Sequence, residues 1–261
     1  MAEAGHVSGL QPERGWRKTE GTAVMGIAFP VPDQAIVARR EDIIRGLAAI
    51  LPPECLVVSE DERRAFETDA LTAYRKMPLA VALPKSTEMV QAVMEFCHRQ
   101  GVKVVPRGAG TSLAGGAIAQ EDALIICLSK MSRVLDVNYP NRTMRVEAGI
   151  TNLKISEHVM PDGFFYAPDP SSQLACTIGG NVGMNSGGAH CLKYGTTTNN
   201  VLGVKMVLVD GTLVEIGGEA MDASGYDLLA LIVGSEGQLG IVTEVTVRIL
   251  RAAEGARPVL F

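Results

Sequence analysis

What is missing narrows the possibilities first. No apolar run approaches the ~20 residues that a membrane-spanning helix needs. The longest strongly apolar stretches, such as Ala123 to Leu128, fall far short of it. The first twenty residues mix Glu3, Glu13, Arg14, Arg17 and Lys18 without an apolar core, so we expect no signal peptide and a cytoplasmic chain. Cysteine pairs at metal or redox spacing are lacking too. Cys55, Cys97, Cys127, Cys176 and Cys191 are odd in number and contain no C-x-x-C, which favours buried, reduced thiols over disulfides or metal binding. Positive charge is not in excess: a net charge of −5 excludes a general electrostatic grip on nucleic acid. Internal repeats and low-complexity tracts are absent as well, which leaves an ordinary globular chain.

Glycine, by contrast, is concentrated. Pro168 to Gly195 reads Pro-Asp-Pro-Ser-Ser-Gln-Leu-Ala-Cys-Thr-Ile-Gly-Gly-Asn-Val-Gly-Met-Asn-Ser-Gly-Gly-Ala-His-Cys-Leu-Lys-Tyr-Gly and holds six glycines. A packed helix or strand is not expected there, because each glycine forfeits side-chain packing and costs backbone entropy. A solvated linker is not expected either, since Ile178, Val182, Met184 and Leu192 are interleaved. What remains is a backbone that approaches a ligand closely and offers N–H groups, hydroxyls and amides. A large planar ligand with a phosphate tail fits that description.

At 261 residues and 47% hydrophobic the chain suits one large domain or two lobes sharing a cleft. Residues 1–39 lack sustained periodicity and are expected to be a partly mobile tail. Ile43, Ile44, Leu47 and Ile50 then recur at helical spacing until Pro52-Pro53. A strand at Ala80 to Leu83 precedes a helix with Ser86 as N-cap and Gly101 at its end, and Val102 to Val105 forms the next strand. This strand–helix–strand unit implies a right-handed parallel crossover. Further strands are expected at Leu124–Leu128, Val134–Val137 and Thr143–Glu147, and a helix at Thr151–Met160. Asp210-Gly211 marks a hairpin between Val201–Val209 and Thr212–Ile216. A short helix at Leu228–Val233 precedes Ile241–Leu250, which alternates cleanly. The class is α+β in two lobes, a small parallel-sheet lobe at 40–132 and an antiparallel-sheet lobe at 133–261.

Directly after the second strand comes Pro106-Arg107-Gly108-Ala109-Gly110-Thr111-Ser112-Leu113-Ala114-Gly115-Gly116. Ligands of open α/β sheets sit beyond the carboxyl ends of strands. A dinucleotide fingerprint would need glycine at Leu113, and a Walker loop would need Lys-Ser/Thr where Gly116-Ala117 stands. Backbone N–H groups can still form an anion nest here, with Arg107 as nearby positive charge, although a purely structural turn is also possible. A third glycine-rich turn runs from Gly234 through Glu236 to Gly240.

These three stretches, 106–112, 168–195 and 234–245, resemble flavoproteins of the vanillyl-alcohol-oxidase or PCMH type. The nearest likeness is to the FAD-binding subunit of bacterial glycolate oxidase and to D-lactate and D-2-hydroxyglutarate dehydrogenases. The resemblance covers about residues 40–261 and implies two lobes clasping an extended FAD. It puts Arg107 to Ser112 around the pyrophosphate and implies that Pro106, Gly115, Gly116, Gly234, Glu236 and Gly240 also belong to the cofactor site. Pro168, Asp169, Pro170 and Ser171, with Thr177, Gly180 and Asn181, would follow the ribityl chain and isoalloxazine. Gly187, Gly188, Ile241 and Val242 would line the ribose and adenine side.

Two departures qualify the likeness. Covalent members carry histidine where Ala117 stands, so FAD is expected to be non-covalent. Members also continue into a cap domain with substrate-binding residues, and this chain stops at Phe261, about where a cap should begin. The four histidines do not replace it: His6 lies in the expected tail, His98 at a helix end, His158 on a helical face. His190 borders the flavin stretch and is the one catalytic candidate.

The expected function is the FAD-binding subunit or fragment of a 2-hydroxyacid dehydrogenase. It would oxidise glycolate or D-lactate to the 2-oxo acid by hydride transfer to flavin N5. The likeness implies partner subunits, including an iron–sulfur electron-transfer subunit, and leaves open a peripheral inner-membrane position through them. The alternative is a non-catalytic flavin-binding module lacking the substrate cap. A peptidoglycan-precursor reductase of the same superfamily finds no NADPH-specific feature in support.

Overall fold

The computed structural model describes residues 29–219 and 225–255. Asp33 opens α1 (Gln34–Ala38) by accepting the Ala35 N–H, and α2 (Arg40–Ala48) follows directly. Regular structure therefore starts ahead of the expected boundary at 40. The reason is local capping plus burial: Ile36 joins Ile43 and Leu47 in the core. The rest of the expected tail, His6 included, lies outside the described residues.

The first sheet combines β1 (Leu56–Val57), β2 (Ala80–Ala82), β3 (Lys103–Arg107) and β4 (Ala123–Cys127) in the order β1-β2-β4-β3. A short helix, α3 (Glu60–Arg63), follows β1, and α4 (Thr87–Gln100) joins β2 to β3. Ser86 caps α4 by accepting the Met89 N–H, and Gly101 ends it at φ +69°. β2 and β3 run parallel as expected but are not neighbours, because β4 inserts between them and pairs with both. All five residues of β4 are buried. A strand with no polar face is most stable with both edges paired and both faces covered.

The second sheet is antiparallel throughout. It contains β5 (Val134–Asn138), β6 (Thr143–Glu147), β8 (Val201–Val207), β9 (Leu213–Gly217) and β10 (Ile241–Arg248) in the order β5-β6-β10-β8-β9. Between β6 and β8 the chain forms α5 (Asn152–Val159), β7 (Phe164–Phe165), α6 (Ile178–Met184) and α7 (Cys191–Tyr194). After β9 come α8 (Leu228–Ile232) and, beyond β10, β11 (Leu250–Arg251), which pairs with β7. Gly211 at φ +89° makes the β8–β9 turn. β10 buries Ile241, Thr243, Val245 and Val247 and leaves the alternate residues half-buried. Central strands are made last in both lobes, by β4 and β10.

Helix α4 ties the lobes together. Val90, Val93, Met94 and Cys97 share one core with Ala148, Val207 and Ile241 from the second lobe. Gln91 also donates to the Gly211 carbonyl at 3.2 Å. With apolar burial worth roughly 25 cal/mol per Å², this shared core holds the loops of the two lobes in register. Among the described residues no helix is long and apolar enough to cross a membrane.

Candidate cofactor-binding cleft

The first wall of the site leaves the carboxyl end of β3. Arg107, the last strand residue, turns its buried guanidinium beneath the loop that follows it. There it donates to the Ala117 carbonyl at 3.1 Å and rests 5.7 Å over the Phe66 ring. Burial lowers its pKa, and the neighbouring Cys127 and Asp69 act in the opposite direction. Gly110, at φ +71°, has no room for a β-carbon because the guanidinium occupies that space. Among the described residues, no acceptor meets the backbone N–H groups of Ala109, Gly110, Thr111 and Ser112. A row of free N–H groups at the end of a parallel strand is what an anion nest requires.

The second wall overturns the expectation that so glycine-rich a stretch cannot be helical: Ile178 to Met184 forms α6. Packing supplies the reason. Gly179 donates to the Ala148 carbonyl at 2.8 Å, and a methyl group there would stand 3.0 Å from that same oxygen. The glycines thus let the helix press onto backbone, and that contact outweighs their poor helix propensity of about 1 kcal/mol each. Thr177 caps the helix by accepting the Gly180 N–H at 3.3 Å, and Asn185, at φ +48°, ends it. Beneath α6 runs a buried amide ladder. Asn181 Nδ2 donates to Asn152 Oδ1, and Asn152 Nδ2 donates to the Pro168 carbonyl, each at 2.8 Å.

The third turn clasps the end of α6. Gly234 donates to the Val182 carbonyl and Glu236 to the Gly183 carbonyl, both at 2.8 Å. Glu236 adopts φ +54°, an unusual conformation for a non-glycine residue. Its carboxylate lies toward Gly116 on the first loop. Glycine backbone of one lobe meets a side chain of the other twice: a β-carbon at Gly108 would collide with the Thr177 hydroxyl, and one at Gly237 with the Pro106 ring.

Between these walls lies a cleft of about 280 Å³. Pro106, Arg107, Gly108, Ala109, Gly110, Thr111, Ser112 and Gly116 line it from the first lobe, and Thr177, Gly180, Asn181, Glu236, Gly240, Ile241 and Val242 from the second. Other residues singled out by the sequence stand outside it. The Gly115 N–H is taken by Asp69, and Gly234 serves as a clasp for α6. Gly187 packs on Cys191 and Thr196, and Gly188 on the Asp169 backbone. Pro168, Asp169, Pro170 and Ser171 do not line the cleft, although the following Ser172 and Cys176 do. Ala117 lines it too, and so do Leu128, Ala148 and Ile232, which had not been singled out. They are small or apolar residues at element ends, and nothing in their own type marks them.

His190 is exposed, with Nδ1 2.6 Å from Asp169 Oδ2, and its N–H donates to Asp169 Oδ1 at 3.1 Å. It lies outside the cleft lining. The geometry fits an elongated anionic ligand: free N–H groups on one side, and Gly116 and Gly183, where a β-carbon would meet nothing closer than 3.8 Å. Among the described residues, the ionisable side chains of the lining are Arg107, Cys176 and Glu236.

Two lobes closing on a backbone-walled cleft define a PCMH-type FAD-binding fold. The chain belongs to the FAD binding domain family, whose profile matches residues 78–217. It is 46% identical over 221 residues to the glycolate oxidase subunit GlcD of Escherichia coli K12, covering 85% of this chain and 44% of that subunit. The same subunit of Bacillus subtilis is 39% identical over 221 residues, covering 84% and 47%. Other relatives bear the names D-lactate dehydrogenase and D-2-hydroxyglutarate dehydrogenase. The chain therefore spans about half the length of the curated relatives it matches. Among solved structures, an alkyldihydroxyacetonephosphate synthase matches with a TM-score of 0.73 at 23% identity, over 89% of this chain and 43% of that one. That match establishes the shared fold.

Proposed function

We propose that this chain is the flavin-holding part of a 2-hydroxyacid dehydrogenase resembling glycolate oxidase, with residues 40–132 and 133–261 as its two lobes. The observation that carries the proposal is the row of unsatisfied N–H groups from Ala109 to Ser112, facing a cleft walled by both lobes. FAD, when bound, supplies a two-electron acceptor for the oxidation of glycolate or D-lactate to the 2-oxo acid. The chain's own residues bind and orient it. The N–H row and the first-loop glycines would receive the pyrophosphate, Thr177, Gly180 and Asn181 would hold the ribityl and ring portion, and the two lobes would exclude water. The methyl group of Ala117 offers no nucleophile for a covalent link, so FAD is held non-covalently. Electrons leave through partner subunits, among them an iron–sulfur subunit, on a cytoplasmic protein that reaches the inner membrane only through those partners.

The second reading is a flavin-binding module without turnover of its own. It is favoured by a specific observation: His190, the single histidine near the flavin stretch, pairs with Asp169 outside the cleft. Substrate oxidation needs a base within ~2.6–3.2 Å of the hydroxyl proton. One experiment separates the readings. The chain is loaded with FAD, mixed anaerobically with glycolate or D-lactate, and followed by flavin absorbance. Absent bleaching, restored by adding the other half of a full-length relative, supports the flavin-holding part of a larger enzyme. Bleaching by the chain alone that is lost in His190→Ala places the base in this chain. Failure of the other half to restore bleaching supports the module. Acid precipitation of the loaded protein should leave the flavin in solution; colour in the pellet would overturn non-covalent binding.

A further inference from the structure

We propose that Asp69 is the positioning residue of the phosphate loop, a buried carboxylate that holds the N–H row of residues 109–112 in binding geometry before any ligand arrives. The proposal rests on the flavin reading of the cleft and adds a residue that touches neither the cleft nor the cofactor.

Asp69 lies in the irregular segment before β2 and is 5% exposed. Both of its carboxylate oxygens are used. Oδ1 accepts the Leu71 N–H at 2.8 Å, which fixes the carboxylate to its own segment. Oδ2 accepts the Gly115 N–H at 2.9 Å, which fixes the far arm of the loop. The residue after it completes the grip: Ala70 donates to the Gly110 carbonyl at 2.9 Å, fixing the near arm. Phe66, slightly upstream, receives the Arg107 guanidinium on its ring at 5.7 Å. One short segment thus holds the loop at its base and on both arms.

The chemistry follows from where these pins fall. Gly108, Gly110, Gly115 and Gly116 would otherwise give the loop great freedom, and glycine loses the most conformational entropy when it is ordered. Ordering the loop within the fold removes that cost from binding, so affinity rises without any new contact to the ligand. The Gly110 carbonyl, bonded to Ala70, is not left free to face a phosphate, whereas the N–H groups of Ala109 to Ser112 stay unpaired among the described residues. A carboxylate suits the task because it accepts two backbone N–H groups at once. Its charge also sits near Arg107, so it lowers the positive potential of the site while it orders the loop. Positioning and charge therefore make opposite predictions for the same substitution.

The test is Asp69→Asn in the full chain. The amide keeps the shape but accepts only one of the two N–H groups well. FAD and riboflavin, which lacks the phosphates, are titrated by flavin fluorescence, and amide hydrogen exchange is followed in the ligand-free protein. We expect the FAD dissociation constant to rise about tenfold or more, with riboflavin changed by less than about twofold. Exchange should accelerate at Gly115 and its loop neighbours and stay unaltered in β2, α4 and β4. FAD binding that is unchanged or tighter overturns the proposal, the latter because charge alone would then account for Asp69. Faster exchange throughout the first sheet, with a lower urea midpoint, also overturns it, since Asp69 would then be a general stability residue. If the unaltered chain binds no FAD, the flavin reading itself fails and the proposal falls with it, an outcome distinct from equal binding by both chains.

Discussion

Gly108 and Thr177 belong to different lobes, yet they stand so close that a β-carbon on the glycine would overlap the threonine hydroxyl. The same hydroxyl caps α6 through the Gly180 N–H. One atom thus closes the cleft floor and starts the helix that forms its second wall.

Gly108→Val tests that closure. The branched side chain must push Thr177 away and separate the lobes at the cleft floor. We expect FAD affinity to fall at least tenfold, about 1.4 kcal/mol. Gly218→Ala is the control, because nothing lies within 4 Å of a β-carbon there. Equal FAD binding by Gly108→Val and the control would remove this contact from the site.

Glu236 carries a measurable strain. A left-handed conformation costs a non-glycine residue roughly 1–2 kcal/mol, whereas glycine pays about 0.5–1 kcal/mol in unfolded-state entropy. Glu236→Gly should therefore stabilise the ligand-free protein by about 0.5–1 kcal/mol while removing the one carboxylate of the cleft lining. Thermal denaturation reads the effect. A lower midpoint would show that the side chain makes contacts worth more than its strain.

The Asn181–Asn152–Pro168 ladder links α6 to the segment that precedes Ser172. Asn152→Ala orphans the Asn181 amide and the Pro168 carbonyl, and each buried unpaired group costs ~1–3 kcal/mol. We expect a lower urea midpoint with an unchanged slope, equivalent to a loss of about 2–6 kcal/mol for the two groups, together with weaker FAD binding. An unchanged midpoint would mean the ladder is dispensable.

Asp122 gives the protein an acid-sensitive anchor. Burial raises its pKa, but the Asp33 N–H and the Lys103 ammonium at 2.6 Å favour the carboxylate, and the net direction is down. The unfolded chain therefore takes up this proton more readily than the folded one. The stabilisation is present above the ordinary carboxylate range and is lost as pH falls below about 4. Urea midpoints compared between about pH 6 and about pH 3 should fall more steeply for the unaltered chain than for Asp122→Asn. Parallel curves would show that Asp122 does not contribute.

Elements specified by local chemistry were legible. Ser86 and Gly101 bound α4, Asp210-Gly211 closes the β8–β9 hairpin, and the alternation of Ile241 to Arg248 appears as β10. Each depends on residues within one turn or one pleat of the effect. Legibility ended where the partner of a backbone group was distant in sequence. Gly187 and Gly188 share a composition with Gly179 and Gly180, yet the first two pack on Cys191 and Asp169 while the latter two line the cleft. A glycine shows that something comes close, and its composition is silent about what does. Asp69 was invisible for the same reason, since its acceptor role depends on Gly115 returning to it in space.

The sequence by itself determined that three glycine-rich stretches follow apolar segments and that the chain is two-lobed. Those properties rest on residue type and near-neighbour spacing, which chain geometry converts directly into caps, turns and strand faces. Only the tertiary structure decided which glycines face the cleft, that α6 is a helix, and that Arg107 lies beneath its loop against Phe66 while Asp69 holds that loop from outside. These are contacts between segments that only the packing of α4 against both sheets brings together. Long-range burial, and not local propensity, is what selects among the conformations that glycine leaves open.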